Sequence, residues 1–235
     1  MLQLDRQYLS NNLPSSDELP DSDDTPVDNE DQNYLPNLLL FLLEYIWKDR
    51  HDWYFGVDMG IYHTTGASPR VPIVPDGFLS VGVERRKAGK SRKSYVMWEE
   101  NNIAPILTIE MVSHTYGDEY DKKLEIYRHL GVKYYLIYNP EFWRRDGHSS
   151  LEIYQLIDGD YQLQQLQNSN PFWMPEISLG IGRCTLPTDP YQRQVLTWFD
   201  QNGDRYLTSD ERASQSLQQV ESLRAKLRSL GIDEE

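Results

Sequence analysis

The chain has 235 residues, enough for one domain of moderate size with appendages. Its single cysteine, Cys184, excludes an internal disulfide framework and points to a reducing interior. The first thirty residues lack a secretory apolar region, and the longest apolar run, Leu38 to Leu43, is too short for a bilayer span, so a cytoplasmic protein with no membrane partner is expected. Net charge is −14, which disfavours nucleic acid, but residues 1–34 hold nine acids against one base and leave only −6 for the remainder.

Residues 10–33 are rich in Ser, Asn, Asp and Pro, so residues 1–34 read as a flexible acidic arm. Order is expected from residue 35, where "LPNLLLFLLEYIWKDR" repeats Leu38, Leu39, Leu42, Leu43, Ile46 and Trp47 at helical spacing. Pro36 suits the first turn and the helix should end near Arg50. Glu44 lies on the edge of that helix and by itself reads as a solvated position. Residues 52–64 predict a strand or hairpin arm. Residues 71–86 predict a second strand, carrying Phe78, Leu79, Val81 and Val83 after a Pro-Asp-Gly break. "ERRKAGKSRK" (84–93) holds six bases and one acid, and a stretch this short reads first as a solvated hairpin or loop. Residues 94–100 either pair with the preceding strand or make a short excursion.

"APILTIEMVS" (104–113) predicts a strand with Glu110 among apolar neighbours. Residues 118–131 predict a helix with Tyr120, Leu124, Tyr127 and Leu130 on one face and Gly131 at its end. An aromatic strand closed by Asn139-Pro140 follows, then a hairpin over 150–166 turning at Asp158-Gly159. This order predicts a mixed central sheet flanked by helices, an α/β (α+β) domain over 35–190. Asn202-Gly203 marks a hairpin connection over 191–207. Residues 208–235 predict a final helix, opened by Thr208 and Glu211 at capping-box spacing and ended by Gly231. Val220, Leu223, Leu227 and Leu230 fall at a/d positions there. They suit either packing on the chain's own domain or a short coiled coil joining a homodimer.

An ionised carboxylate in a buried strand needs an offsetting cation, base or solvent. Asp76 opens the strand before Glu110's own, and neighbouring strands can bring two carboxylates together. Like charges so placed repel unless a cation lies between them, and Mg²⁺, with Mn²⁺ as a substitute, is the natural choice. Without the ion, neutralising Glu110 should raise stability by removing repulsion. Lys122 or Lys123, in the first turns of the next helix, could reach the pair. Two acids and a lysine are the minimal equipment for metal-assisted phosphodiester hydrolysis. By spacing alone, though, a turn aspartate and a glutamate at the solvent end of a strand account for the pattern more readily.

The ordered elements "VPDGFLSVGVERR", "PILTIEMVSHTYGDEYDKKLEIYRHLGVKYYLIYNP", "LEIYQLIDGDYQL" and "PFWMPEISLGIGR" strongly resemble the Uma-two group of restriction-endonuclease-like proteins, numerous in cyanobacteria, within the PD-(D/E)XK nuclease superfamily. The resemblance covers roughly 35–190 and rests on Pro75-Asp76, Glu110 to Ser113, Lys123 with Tyr127, Gly131-Val132, Tyr134-Tyr135 and Asn139-Pro140. It implies a restriction-endonuclease-like fold and metal-binding carboxylates at Asp76 and Glu110. The superfamily's Glu-x-Lys would put lysine where Val112 stands, and in this group a helix lysine, here Lys123, takes that role. Glu119 occupies the acid position four residues before it, and Glu44 would match a helical acid that some members add. The implied activity is a Mg²⁺-dependent endodeoxyribonuclease acting on DNA, with association leaning on 84–93 and on Lys122, Lys123, Arg128 and Lys133. The other reading is an inactive nuclease fold serving as a binding or scaffold module through its C-terminal helix.

Overall fold

The computed structural model describes residues 13–20, 30–113, 118–166 and 171–230. The expected helix end at Gly231 and most of the acidic arm lie outside them. The chain divides into two compact units, Met1–Leu166 and Gln167–Glu235.

The first unit opens with helix α1, Glu30–Ile46, which starts six residues before the expected Pro36. Glu30 and Asp31 complement the helix dipole at its first turn, and Pro36 is carried inside the helix. Leu35, Leu39, Leu42 and Leu43 form its buried stripe. The segment 13–20 departs from the flexible-arm expectation. Leu19 is buried with Tyr62 and Val96, Trp98 Nε1 donates to Pro14 O at 3.0 Å, and Ser16 N donates to Glu99 Oε1 at 2.8 Å. Average composition is polar there, but two apolar residues and a backbone amide find partners.

The central sheet is built from β1 (Trp53–Val57), β3 (Gly77–Val81), β5 (Leu107–Met111), β6 (Tyr134–Tyr138), β7 (Leu151–Ile157) and β8 (Asp160–Leu163), adjacent in that order. Only β5 and β6 run parallel, joined through helix α2, Lys122–Leu130. A parallel pair needs such a crossover. The other neighbours are antiparallel, which makes the sheet mixed, as expected. α2 ends where Gly131 takes φ +80, a left-handed cap that costs glycine little. Asp158 and Gly159 both have positive φ and close the β7–β8 hairpin as the Asp-Gly pair predicts. Residues 94–100 make the short excursion: β4 (Tyr95–Val96) pairs in parallel with β2 (Ile61–Tyr62), and one 3₁₀ turn, Met97–Glu99, follows.

In the second unit β9 (Phe172–Met174), β10 (Leu179–Thr185) and β11 (Gln194–Phe199) form a separate antiparallel sheet with β10 central. The strands of this second sheet pair with one another, and the two compact units part after Leu166. The expected hairpin at Asn202-Gly203 is a tight turn closed by one bridge, Phe199 to Arg205. After the short helix α3, Trp143–Asp146, the last helix is α4, Ser209–Ser229. No helix among the described residues is long and apolar enough to cross a membrane.

Gly56 sits opposite Phe78 in the β1–β3 register, and the Phe78 ring lies across it. A Cβ at Gly56 would lie 2.2 Å from Phe78 Cε1. Gly56→Ala should cost about 1–3 kcal/mol, as overpacking does. Adding Phe78→Leu should recover part of that loss in thermal denaturation, whereas two additive losses would mean the ring is not the obstacle.

Candidate active site

In β3 and β5, Gly77 stands opposite Ile109, so Asp76 comes to lie at the Glu110 end of the sheet. Asp76 Oδ2 accepts a hydrogen bond from Met111 N at 2.6 Å. Asp58 N donates to the Asp76 carbonyl at 3.1 Å, with Asp58 held at φ +47. Alternation along β5 puts Glu110 on the side of Thr108 and Val112. Val112 packs with Tyr127, Leu130, Tyr135 and Ile137 under α2. Glu110 is 1% exposed.

The answer to that buried charge comes from α2. Lys123 Nζ donates to Glu110 Oε2 at 2.7 Å, and Tyr127 OH donates to Glu110 Oε1 at 2.6 Å. Lys123 and Tyr127 are four residues apart and so share one helix face. Lys122 points elsewhere, exposed and 3.4 Å from Asp118, so Lys123 is the lysine that reaches the carboxylate. Glu110 is thus paired as well as repelled, which reverses the expectation that neutralising it would stabilise the chain.

Burial pushes the Glu110 carboxyl above its ordinary pKa, opposed by the Lys123 ammonium and then the Tyr127 hydroxyl. Burial also raises Asp76 well above the usual carboxylate range, and the Glu110 charge adds to it. Burial works to lower Lys123, but Glu110, Asp76 and Glu119 outweigh it and leave the ammonium more firmly protonated than usual. Tyr127 is held neutral far above the ordinary phenol range by burial and by Glu110. Two carboxylates, a fixed cation and a neutral donor are thereby gathered at one strand end.

Among the described residues no three His, Cys, Asp or Glu side chains form a group that could hold a metal ion. Two hard carboxylate donors nevertheless fit Mg²⁺, which takes one or two carboxylates and completes its shell with water and substrate phosphate.

Glu44 is corrected by the structure. It is exposed and pairs with Arg85 at 2.8 Å, while Arg85 stacks on Trp53. The end of α1 that approaches Met111 is the other one: Gln32 Nε2 donates to Met111 O at 3.3 Å, and Glu30 and Asp31 line a recess with Met111 and Val112. Glu44 lies fourteen residues beyond Glu30, about 20 Å along the helix axis.

Part of the basic stretch 84–93 is engaged within the chain. Lys87 pairs with Glu99 and Glu100, Arg92 with Glu100, Lys93 with Asp17, and Arg86 donates to Gly89 O and Ser91 Oγ. Arg128 is taken by Glu125 and Asp160. Arg86, Lys90 and Lys93 remain exposed.

Sequence reasoning missed two polar clusters. At the end of β6, buried Asn139 donates to Asp146 Oδ2 at 2.9 Å and to Tyr120 OH at 3.2 Å, and Tyr120 stacks on His148 with ring centroids 3.6 Å apart. His148 Nδ1 lies 3.1 Å from Glu152 Oε1. Asn139-Pro140 signalled only a strand end, because these partners come from other elements. In the second unit, Asp200, Asn202, Asp204 and Glu211 fall at positions 1, 3, 5 and 12 of calcium-loop spacing, with Arg205 where that loop requires glycine. The structure uses them otherwise. Arg205 grips both Glu211 oxygens at 2.8 and 2.7 Å and holds that carboxyl down at about 2, while Glu211 also completes the Thr208 capping box of α4. Asp200 Oδ1 accepts from Asn202 N and Asp204 N.

A family model described as "Uma2: Putative restriction endonuclease" matches residues 24–189. A solved chain from Anabaena variabilis, titled a putative nuclease belonging to DUF820, is similar at 11% identity. That match covers 71% of this chain and 76% of the other, with a TM-score of 0.43. No curated protein matches the sequence.

Asp76 gives a pH test. Its folded pKa lies above the unfolded value near 3.8, so its contribution to stability is whole below that value and is lost as pH rises through the folded pKa. In metal-free protein, Asp76→Asn should melt higher than the parent at neutral pH, with the gain vanishing toward pH 3. A gain independent of pH, or a loss at neutral pH, would contradict the buried-repulsion account.

Proposed function

The chain belongs to the Uma2 family, whose model spans residues 24–189, and we propose on that premise that it is a divalent-metal-dependent endonuclease hydrolysing DNA phosphodiester bonds at Asp76, Glu110 and Lys123. The observation that carries the reading is the convergence on Glu110: Lys123 at 2.7 Å on one oxygen, Tyr127 at 2.6 Å on the other, and the Asp76 carboxyl near enough to feel its charge.

A divalent cation held by Asp76 and Glu110 would polarise a phosphodiester and lower the pKa of nearby water. The remaining work falls to the chain's own groups. Tyr127 stays neutral and fixes one Glu110 oxygen in orientation. Lys123 stays protonated and can stabilise the negative charge that grows on phosphate oxygens during attack. Asp76 must lose its raised proton before it can bind a cation, so cation affinity should rise with pH. With Arg85, Lys87 and Arg92 of 84–93 paired within the chain, DNA binding leans on the cation and on few phosphate contacts, and is correspondingly weak in salt.

The second reading, a binding or scaffold module working through α4, is favoured by one observation. Val220, Leu223, Leu227 and Leu230 are 38–73% exposed at a/d spacing, as a two-stranded coiled coil would need. A homodimer joined in this way is compatible with either reading.

With supercoiled plasmid and Mg²⁺ or Mn²⁺, the parent should nick or linearise DNA. Lys123→Ala should keep Mn²⁺ binding and lose cleavage by about a hundredfold or more. Asp76→Asn should lose both. No cleavage with either cation, together with no Mn²⁺ bound by the parent, rejects the nuclease and leaves the scaffold reading.

A further inference from the structure

One buried carboxyl oxygen near Lys123 has no hydrogen-bond donor. Glu119 is 7% exposed, and its Oε2 is wholly buried without a partner. It is the sole carboxylate oxygen so left among the described residues. The residue itself is firmly placed: Tyr135 OH donates to the Glu119 carbonyl at 2.7 Å, and Lys123 N donates to Asp118 O at 2.9 Å just before it. Its charge is felt by both Lys123 and Glu110, although it lies beyond ion-pair distance of Lys123. Buried carboxylates are normally satisfied, so an orphaned oxygen close enough for the Lys123 ammonium to feel its charge asks for a second state of the site.

That second state follows from cation binding. Lys123 holds Glu110 Oε2 while Tyr127 holds Oε1, so both Glu110 oxygens are engaged. A divalent ion taking Glu110 meets an ammonium already seated on it, and the two positive charges repel. Lysine has three rotatable donors on a flexible four-carbon stem and can turn to another acceptor. We propose that Glu119 is a positioning residue: the alternative counter-ion that receives Lys123 Nζ when a divalent cation takes Glu110. The proposal rests on the nuclease reading above. Glu119 would then keep Lys123 protonated and at the site, ready for substrate phosphate, where solvent would otherwise draw it away. A glutamate serving only the dipole of α2 would sit exposed at the first turn and would not bear on cation affinity.

The test is Mn²⁺ titration by calorimetry on the full chain, with circular dichroism to confirm folding. Glu119→Gln should weaken Mn²⁺ binding about tenfold, and Glu119→Asp should restore most of it. In a Lys123→Met background Glu119→Gln should leave Mn²⁺ affinity unchanged, since no ammonium needs a new seat. If Glu119→Gln binds Mn²⁺ as tightly as the parent, or weakens it equally with and without Lys123, the hand-over is overturned while the nuclease reading stands. If the parent itself binds no Mn²⁺, both fall together.

Discussion

A single buried carboxylate organises this protein. Glu110 lies in the middle of a sheet, 1% exposed, and could not stay there charged without the ammonium of Lys123 and the hydroxyl of Tyr127. Both donors come from one face of α2, so the helix must cross the β5–β6 edge in one position and one rotation. The parallel pairing of β5 with β6, the Gly131 cap that returns the chain to β6, and the aromatic packing of Tyr127 against Tyr135 serve that placement. Asp76 is brought in from the other side by the antiparallel register of β3. A polar site is thus assembled from three elements whose packing is otherwise apolar.

The arrangement has a chemical consequence. A stable fold would place the ammonium on both acids or keep the acids apart. Here Lys123 is seated on Glu110 alone, Asp76 keeps a raised pKa, and Glu119 keeps an oxygen without a donor. Glu110 alone holds the lysine, while Asp76 and Glu119 lie close enough to act on the same ammonium. On the proposed reading, this grouping of acids would cost stability in the metal-free chain and would favour a divalent cation.

The sequence made the main strands and α2 legible because their signals are local: apolar alternation, an Asp-Gly turn, a glycine cap. By spacing alone the two acids read more readily as a turn aspartate and a strand-end glutamate, and Lys122 and Lys123 stood level; it was the resemblance that singled out Asp76, Glu110 and Lys123. Failures came where partners are distant in sequence. Glu44 read by itself as a solvated position and became a site acid only through the resemblance; 1.5 Å of rise per residue carries it away from the end of α1 that approaches Met111. The basic run 84–93 read first as a solvated loop, but the acids that meet Lys87, Arg92 and Lys93, namely Glu99, Glu100 and Asp17, are supplied from elsewhere and were not legible. The pairing of β9, β10 and β11 into a separate sheet was not legible, because hydrophobic patterning does not say which strands pair.

The central claim is that Glu110 and Lys123 hold each other charged within the fold. A double-mutant cycle in metal-free protein tests it most directly, comparing Glu110→Gln, Lys123→Met and the double variant by chemical denaturation at neutral pH. The account predicts that each single change destabilises and that the double change costs less than their sum, by about 1–3 kcal/mol of coupling. Additive losses, or a gain in stability from Glu110→Gln alone, would contradict it.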